Sequence, residues 1–444
     1  MQLEFLGHAG FIVTHGKTCV ACDPWLSPMG AYHASWFQFP CNHRLWERDY
    51  RNLSAVVVTN HRQDHLDAAF LSQKLTPETP IIVPRYSSRT LWSAIRQACA
   101  NPITELKPGI DHTLGEGLRV LFIADETPDS DSCAVTFRTR EAALINMSDA
   151  RLKPKQRDVL KVRLGGRIDA LLFQGAGVSW NPLCYRYPEE RMLDLSLLKR
   201  VEKLEHAYQI LDHIPPRVAF PYGGPPVFLQ DSLSKFNNDC AGKGFAPDQK
   251  RALDWLRQRG YARRAEIPLP GDRFKLVNGE FEPDQVIRRE FSFESQDAYL
   301  QAYAERMRPA IAAYLNKLPR PTGDLFESFC AYVQRLGESN ESVRNEVKME
   351  IRLIAEGLHG GDFLVRCTGG ELTAERTGEQ SAPCTVHLDA DWLNQIVNHN
   401  LPWEDFLFSL RFSIEQDPAV EDDHFLSWLK LTDIQTVAEA TTTK

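Results

Sequence analysis

The chain has 444 residues, 43% hydrophobic and 25% charged, the balance of a soluble globular protein too long for one ordinary core. Its formal net charge of −8 argues against a general nucleic-acid binder and leaves room only for local basic pockets. No apolar run approaches the ~20 residues needed to cross a bilayer. The opening segment Met1–His8 lacks the basic and apolar regions of a signal peptide, so a cytoplasmic protein without a membrane partner is expected.

The chain opens as a meander of short strands over Leu3–Leu6, Gly10–Thr14 and Thr18–Cys22, closed by Asp23-Pro24-Trp25-Leu26. An aromatic loop, Tyr32 to Pro40, follows. Leu53–Thr59 reads as a buried strand running into a polar loop. Leu66–Lys74 and Ser87–Ala100 read as helices around the strand Ile81–Pro84. Further strands are expected over Leu118–Ala124, Cys133–Arg138, Ala142–Met147, Ala170–Phe173 and Val218–Phe220. Asp158–Leu164 and Ser196–Leu211 read as helices. Two successive sets of alternating strands and helices suit a four-layer αββα sandwich over residues 1–245. Residues 246–360 read as a mostly helical extension, with Asp297–Lys317 and Ser342–Leu358 the clearest helices. Residues 361–433 read as a small α+β lobe, and 434–444 as a polar tail.

Ten cysteines without a secretory context read as reduced thiols. Cys19 and Cys22 have CxxC spacing, but they share one strand-like run and have no second pair, so a structural role is the stronger reading.

The chemistry concentrates in Thr59-Asn60-His61-Arg62-Gln63-Asp64-His65, at the end of an apolar strand. Side chains at such a strand end converge on a common cleft. Imidazole with carboxylate suits Zn, Fe or Mn. Asp64 and His65 are the first candidate metal ligands, joined by Asp149 after the strand Leu144–Met147 and by His61. Asp23 is placed to orient a histidine. The competing reading makes Asp64 and His65 no more than caps of the following helix. Gln174–Trp180 and Pro221–Pro225 are glycine-rich turns whose backbone amides could cradle an anion, or simply be tight turns. No Gly-x-Ser-x-Gly and no Cys/His nucleophile pair is present.

These residues resemble the metallo-β-lactamase superfamily. Leu6 to Phe11 followed by Asp23 to Leu26 is similar to the opening of its lactonase-like branch, and the Thr59–His65 loop to its His-x-His-x-Asp-His metal loop. Asn60 and Arg62 stand where that loop has its first two histidines, and Thr127 where a later one is expected. Within the superfamily the chain most resembles the catalytic part of the CMP-N-acetylneuraminate hydroxylase family, through Asp131-Ser132-Cys133, Phe173–Pro182, Pro216–Gly224, Leu401–Asp405 and Gln416-Asp417-Pro418. It lacks the Cys-x-His and Cys-x-x-His ligands of a Rieske cluster. The resemblance implies that His8, Asp23, His33, Gly175, Gly177, Tyr222 and Gly223 line a substrate pocket, with Tyr32, Trp36, Phe37 and Phe39 as its wall or as core beneath it.

Two functions follow. The first is a metal-dependent enzyme with one divalent ion, Fe or Mn or else Zn, on Asp64, His65, Asp149 and His61. It would be an oxygenase or hydroxylase acting on a polar, anionic small molecule with electrons from a separate donor, or a hydrolase. The second is a metal-free protein that binds a ligand or partner, or uses Arg62, Asp64 and His65 as its catalytic groups. A permanent guanidinium in a ligand position repels a cation. The 361–433 lobe resembles a sterol-carrier unit and implies a pocket or homodimer surface.

Overall fold

A computed structural model describes residues 1–444 except 128–129, 176, 238–247, 379, 417–422 and 433–444. The 245/246 boundary, Asp417 and Pro418, and the 434–444 tail therefore lie outside the described residues. The chain divides into two compact units, residues 1–178 with 196–308, and residues 179–195 with 309 onward. The stretch read as one extension, 246–360, is thus shared between them. No helix among the described residues is long and apolar enough to cross a membrane.

The first unit holds two mixed sheets. One has eight strands in the order Glu280–Glu282, Arg273–Lys275, Gln2–Gly7, Gly10–His15, Thr18–Cys22, Ala55–Val57, Ile81–Pro84, Ile103–Leu106. Its last four strands are mutually parallel. The other has six, in the order Val218–Tyr222, Ala170–Gln174, Ala143–Asn146, Cys133–Arg138, Leu118–Ala124, His112–Gly115. Its first three strands are parallel.

The period-2 alternation of strand side chains sorts these residues into layers. Ala55 and Val57 join Phe11, Val20, Phe122, Val135, Leu172 and Phe220 in one core between the sheets. Val56 and Val58 turn the other way, toward Phe70, Leu71, Leu91 and Ile95 of the helices Ala68–Lys74 and Thr90–Ala98. On the far side Leu171 and Phe173 meet Leu160, Ala207, Ile210, Leu211 and Leu256 of the helices Pro154–Arg163, Glu189–His213 and Gln249–Gln258. Helix, sheet, sheet, helix is the expected four-layer sandwich. The C-terminal ends of the parallel strands in both sheets, Cys22, Val57, Asn146, Gln174 and Tyr222, deliver the loops that carry the candidate residues. Clefts at such strand ends are where open α/β sheets bind ligands.

The second unit has a five-stranded sheet in the order Glu371–Arg376, Gly361–Thr368, Met349–Glu356, Cys384–Asp389, Phe412–Gln416. Its central strand corrects the helix expected over Ser342–Leu358. Only Glu341–Arg344 is helical there. Met349, Ile351, Leu353 and Ala355 are buried and alternate with more exposed neighbours, a period of two that outweighs the helix propensity of the segment's Glu, Arg and Leu residues. Residues 179–195 belong to this unit through Tyr185, bridged to Ile414, and Trp180, whose ring meets Phe425 edge-on at 5.5 Å.

Candidate functional site

Asp67, not Asp64 or His65, caps the helix Ala68–Lys74. Its carboxylate accepts from Phe70 N at 3.0 Å and also from Leu26 N and Ser27 N. Asp64 and His65 are therefore not needed as helix caps. Both are buried, and so are their neighbours Thr59 and Asn60.

The site is built around the His65 ring. Asp23 follows the Thr18–Cys22 strand at a φ of 44°, and its carboxylate accepts from Thr59 N at 2.8 Å, Thr59 Oγ1 at 2.6 Å and His65 Nδ1 at 2.9 Å. A carboxylate on Nδ1 fixes the tautomer and leaves Nε2 to face the cleft. Nε2 is buried without a hydrogen-bond partner, 3.2 Å from Asp149 Oδ2 and 3.5 Å from Asp64 Oδ2. A lone pair there would oppose two carboxylates, so a positive centre belongs between them.

Both carboxylates are engaged from their other sides. Asp64 Oδ2 accepts from His8 Nε2 at 3.0 Å, and Oδ1 accepts from the Tyr32 hydroxyl at 3.0 Å. Burial alone would raise the Asp64 carboxyl, but His65, the His8 hydrogen bond and Arg62 together hold it well below the usual carboxylate range. His8 is pushed down by burial, against the pull of Asp64, so it donates as a neutral ring with Nδ1 left unpartnered. Asp149 Oδ2 receives the Arg62 guanidinium in direct ion pairing, and the Asn60 amide at 3.2 Å. Arg62 is held in turn by its backbone N–H on Asn60 Oδ1 at 2.8 Å.

Of the expected site residues, His8, Asp23, Arg62, Asp64, His65 and Asp149 come together. His61 lies on the same loop, half-buried, where Asn60 and Arg62 carry the contacts to Asp149. His33 is half-buried within Tyr32–His33–Ala34, three successive residues at positive φ. Tyr222 donates its hydroxyl to Asn146 Oδ1, and Gly223 gives its N–H to the His8 carbonyl at 3.0 Å, so that turn braces His8. A Cβ on Gly175 would come 2.6 Å from Ala252 Cβ, which marks close packing on a helix. A Cβ on Gly177 would come 2.3 Å from Lys203 Nζ. Trp36, Phe37 and Phe39 are buried core, Phe39 against Phe291 at 5.1 Å, whereas Tyr32 reaches the site. Thr127 spends its N–H and hydroxyl on Asp125. Cys22 is buried with its thiol pushed up by burial, and Cys19 is half-buried, so the CxxC pair serves packing.

Sequence reasoning missed Tyr32 as an Asp64 donor, Thr59 as a strut under Asp23, and Ser148, 2.9 Å from Thr59 Oγ1. One signal was available for Ser148, which sits between Asn146 and Asp149.

Two mixed sheets face to face between helical layers carry this carboxylate–histidine loop at the end of a parallel strand. This is a metallo-β-lactamase fold. No family model matches the chain. A protein of Mycolicibacterium smegmatis named a putative Rieske 2Fe-2S iron-sulfur protein is 28% identical over 382 residues, 82% of this chain and 71% of the relative. One of the same description from Mycobacterium tuberculosis is 29% identical over 332 residues; there the match spans 70% of this chain and 62% of the relative. Among solved structures, CmlA, a diiron β-hydroxylase from Streptomyces venezuelae, is 16% identical with a TM-score of 0.43, covering 61% of this chain and 53% of CmlA. A possible metal-dependent hydrolase from Veillonella parvula is 13% identical with a TM-score of 0.44, covering 62% and 98%.

A metallo-β-lactamase fold implies metal, so the donors need testing against one. Among the described residues no group of three or more His, Cys, Asp or Glu side chains is arranged to hold an ion. His65 Nε2, the orphaned nitrogen that faces the two carboxylates, is the imidazole donor available to an ion there. Both carboxylates facing it are already charge-compensated, Asp149 by a guanidinium at the position a cation would share. A dinuclear centre does not fit these residues, and a single ion fits only with Arg62 displaced.

Proposed function

We propose that this chain is a metal-free member of the metallo-β-lactamase fold that binds a polar, anionic small molecule in the strand-end cleft, with Arg62 supplying the positive charge. The observation that carries this reading is the ion pair of Arg62 with Asp149 beside His65. A guanidinium keeps its charge at every accessible pH and offers several N–H donors, so it can hold one carboxylate and still present donors to a ligand oxyanion. The Asp23–His65 pair gives the site an oriented imidazole for moving a proton to or from the bound molecule, the arrangement in which a carboxylate holds a histidine for acid–base work.

Metal content by mass spectrometry tests this, on protein as purified and after anaerobic loading with Fe(II), Mn(II) or Zn(II). The wild type is expected to hold no stoichiometric metal. Asn60→His/Arg62→His, which removes the guanidinium and adds two imidazoles, is expected to take it up. Stoichiometric metal in the wild type, lost in Asp64→Ala, would overturn the reading.

The orphaned His65 Nε2 favours one second reading, a single ion on His65, Asp64 and Asp149 after Arg62 swings away. That chain would be the metal-dependent enzyme, with oxygenase or hydrolase chemistry, and for an oxygenase a separate electron donor. The names of the mycobacterial relatives fit that reading. The same measurement separates the two.

A further inference from the structure

His8 enters the cluster at a φ of 48°, with its ring edge-on to Trp25 at 4.9 Å and its Nε2 donating to Asp64 Oδ2 at 3.0 Å. On a neutral ring that donation leaves Nδ1 as a bare lone pair, an acceptor. Nδ1 is buried and has no hydrogen-bond partner. The ring lines a small internal cavity together with Gln249, the first residue of the helix Gln249–Gln258. His8 is 6% exposed and Gln249 5%, and Gln249 Oε1 is also buried without a partner. Two unpaired acceptors from distant parts of the sequence thus border one cavity. Its other side chains offer them no free donor. Phenylalanine and proline carry none, and the Tyr222 hydroxyl is already given to Asn146. Buried polar atoms are nearly always paired, either within the protein or with ordered water. The cavity volume is about 10 Å³, room for one water. A water donates two hydrogens and accepts two, so it can serve both side chains whichever way round the Gln249 amide lies.

We propose that this cavity binds one structural water that bridges His8 Nδ1 and Gln249 Oε1, and that Gln249 is thereby a positioning residue, acting on Asp64 through the water and His8. A histidine held at one nitrogen can turn over and present carbon to its carboxylate. Held at both, it turns only by breaking two hydrogen bonds. The bridge therefore ties the strand-end cluster to an outer helix and keeps an N–H on Asp64 Oδ2, the oxygen 3.5 Å from His65 Nε2. The positioning role rests on the reading of this cluster as the binding site, whereas the water itself does not.

Two measurements on the full chain test it, both without added ligand. A crystal structure is expected to show one water about 2.7–3.2 Å from both His8 Nδ1 and Gln249 Oε1. Nitrogen NMR at neutral pH uses isotope-labelled histidine, with His8→Gln to assign the signal. It is expected to find the His8 proton on Nε2 and a hydrogen-bonded Nδ1. Gln249→Met keeps the length of the side chain and removes its acceptor. That variant is expected to lose the water and to move the Nδ1 resonance by several ppm toward that of an unbonded imine nitrogen, with the melting temperature within a few degrees of wild type. Gln249→Glu, which restores an acceptor, is expected to bring the resonance back. A dry cavity, a direct hydrogen bond between His8 and Gln249, or an Nδ1 resonance that stays put in Gln249→Met overturns the proposal. Neither readout uses metal content or ligand binding. A negative result therefore leaves the proposed function standing, and stoichiometric metal in the wild type would sink that function without touching the water.

Discussion

Asp23 orders three groups with one buried carboxylate, and its loss is predicted to be costly. In Asp23→Asn the amide keeps one acceptor oxygen, while its NH2 faces the Thr59 hydroxyl or the His65 ring. The expected destabilisation is about 3 kcal/mol by urea unfolding, the scale of a lost charged hydrogen bond in a buried site. Tyr32→Phe removes a single donor from Asp64 and is expected to cost ~1.5–3 kcal/mol in the same measurement. Asp64 carries a pH signature. Its folded carboxyl sits below the ordinary range, so its stabilisation is fully present above the unfolded value of about 4 and is lost as pH falls through the folded one. The stability gap between wild type and Asp64→Asn should therefore be widest near neutrality and close as the solution is acidified. A gap independent of pH would contradict the ion-pairing described for Asp64. His8, Asp23, Asp64, His65 and Asp149 were legible because each falls just past a strand, where the chain must turn and its side chains point to a shared edge. Tyr32 was not. A tyrosine among four aromatics looks like core until tertiary contacts say otherwise. Backbone strain marks the same place. Of the ten non-glycine residues at positive φ among those described, six (His8, Asp23, Tyr32, His33, Ala34 and Ser148) lie in these loops. Such conformations persist where surrounding structure holds them, often at functional sites.

At the level of elements, the layered sandwich could be read from alternation and run length, because a strand with one face on each core must repeat every second residue. What escaped were short or misleading pieces. Arg273–Lys275 and Glu280–Glu282 form a hairpin of three-residue strands on the edge of the first sheet, in a region read as helical. Three residues carry too little periodicity to be detected. Met349–Glu356 was misread because its charged neighbours are good helix formers, and only the position of Met349, Ile351, Leu353 and Ala355 on one face gives it away. Leu353 lies at the centre of its sheet, paired with Phe363 on one side and Val386 on the other. Leu353→Ala is predicted to cost about 2–5 kcal/mol, the range for large-to-small changes in a core. If Ser342–Leu358 were a surface helix, the same substitution would be near neutral.

On the scale of the whole molecule, one lysine of the long helix Glu189–His213 bears on stability. Lys203 is lowered to about 7 from an ordinary value near 10.5, so between these pH values the unfolded chain binds the proton that the folded chain has given up. Stability from this group therefore rises with pH across that window, and its penalty is fully present below it. Lys203→Met is predicted to raise the melting temperature at pH 6.5 by a few degrees and to flatten the alkaline rise, checked by scanning calorimetry. A lower melting temperature would mean that the amine is better compensated than its surroundings indicate. The division into units has a consequence of another kind. Residues 179–195 belong with elements made much later, since Tyr185 bridges Ile414 in a strand and Trp180 meets Phe425 in a helix. During synthesis at ~5–20 residues per second, Trp180 and Tyr185 must wait on the order of ten seconds or more for their partners to leave the ribosome. For that interval the nascent chain carries an unburied aromatic pair, and that is where a chaperone would find it.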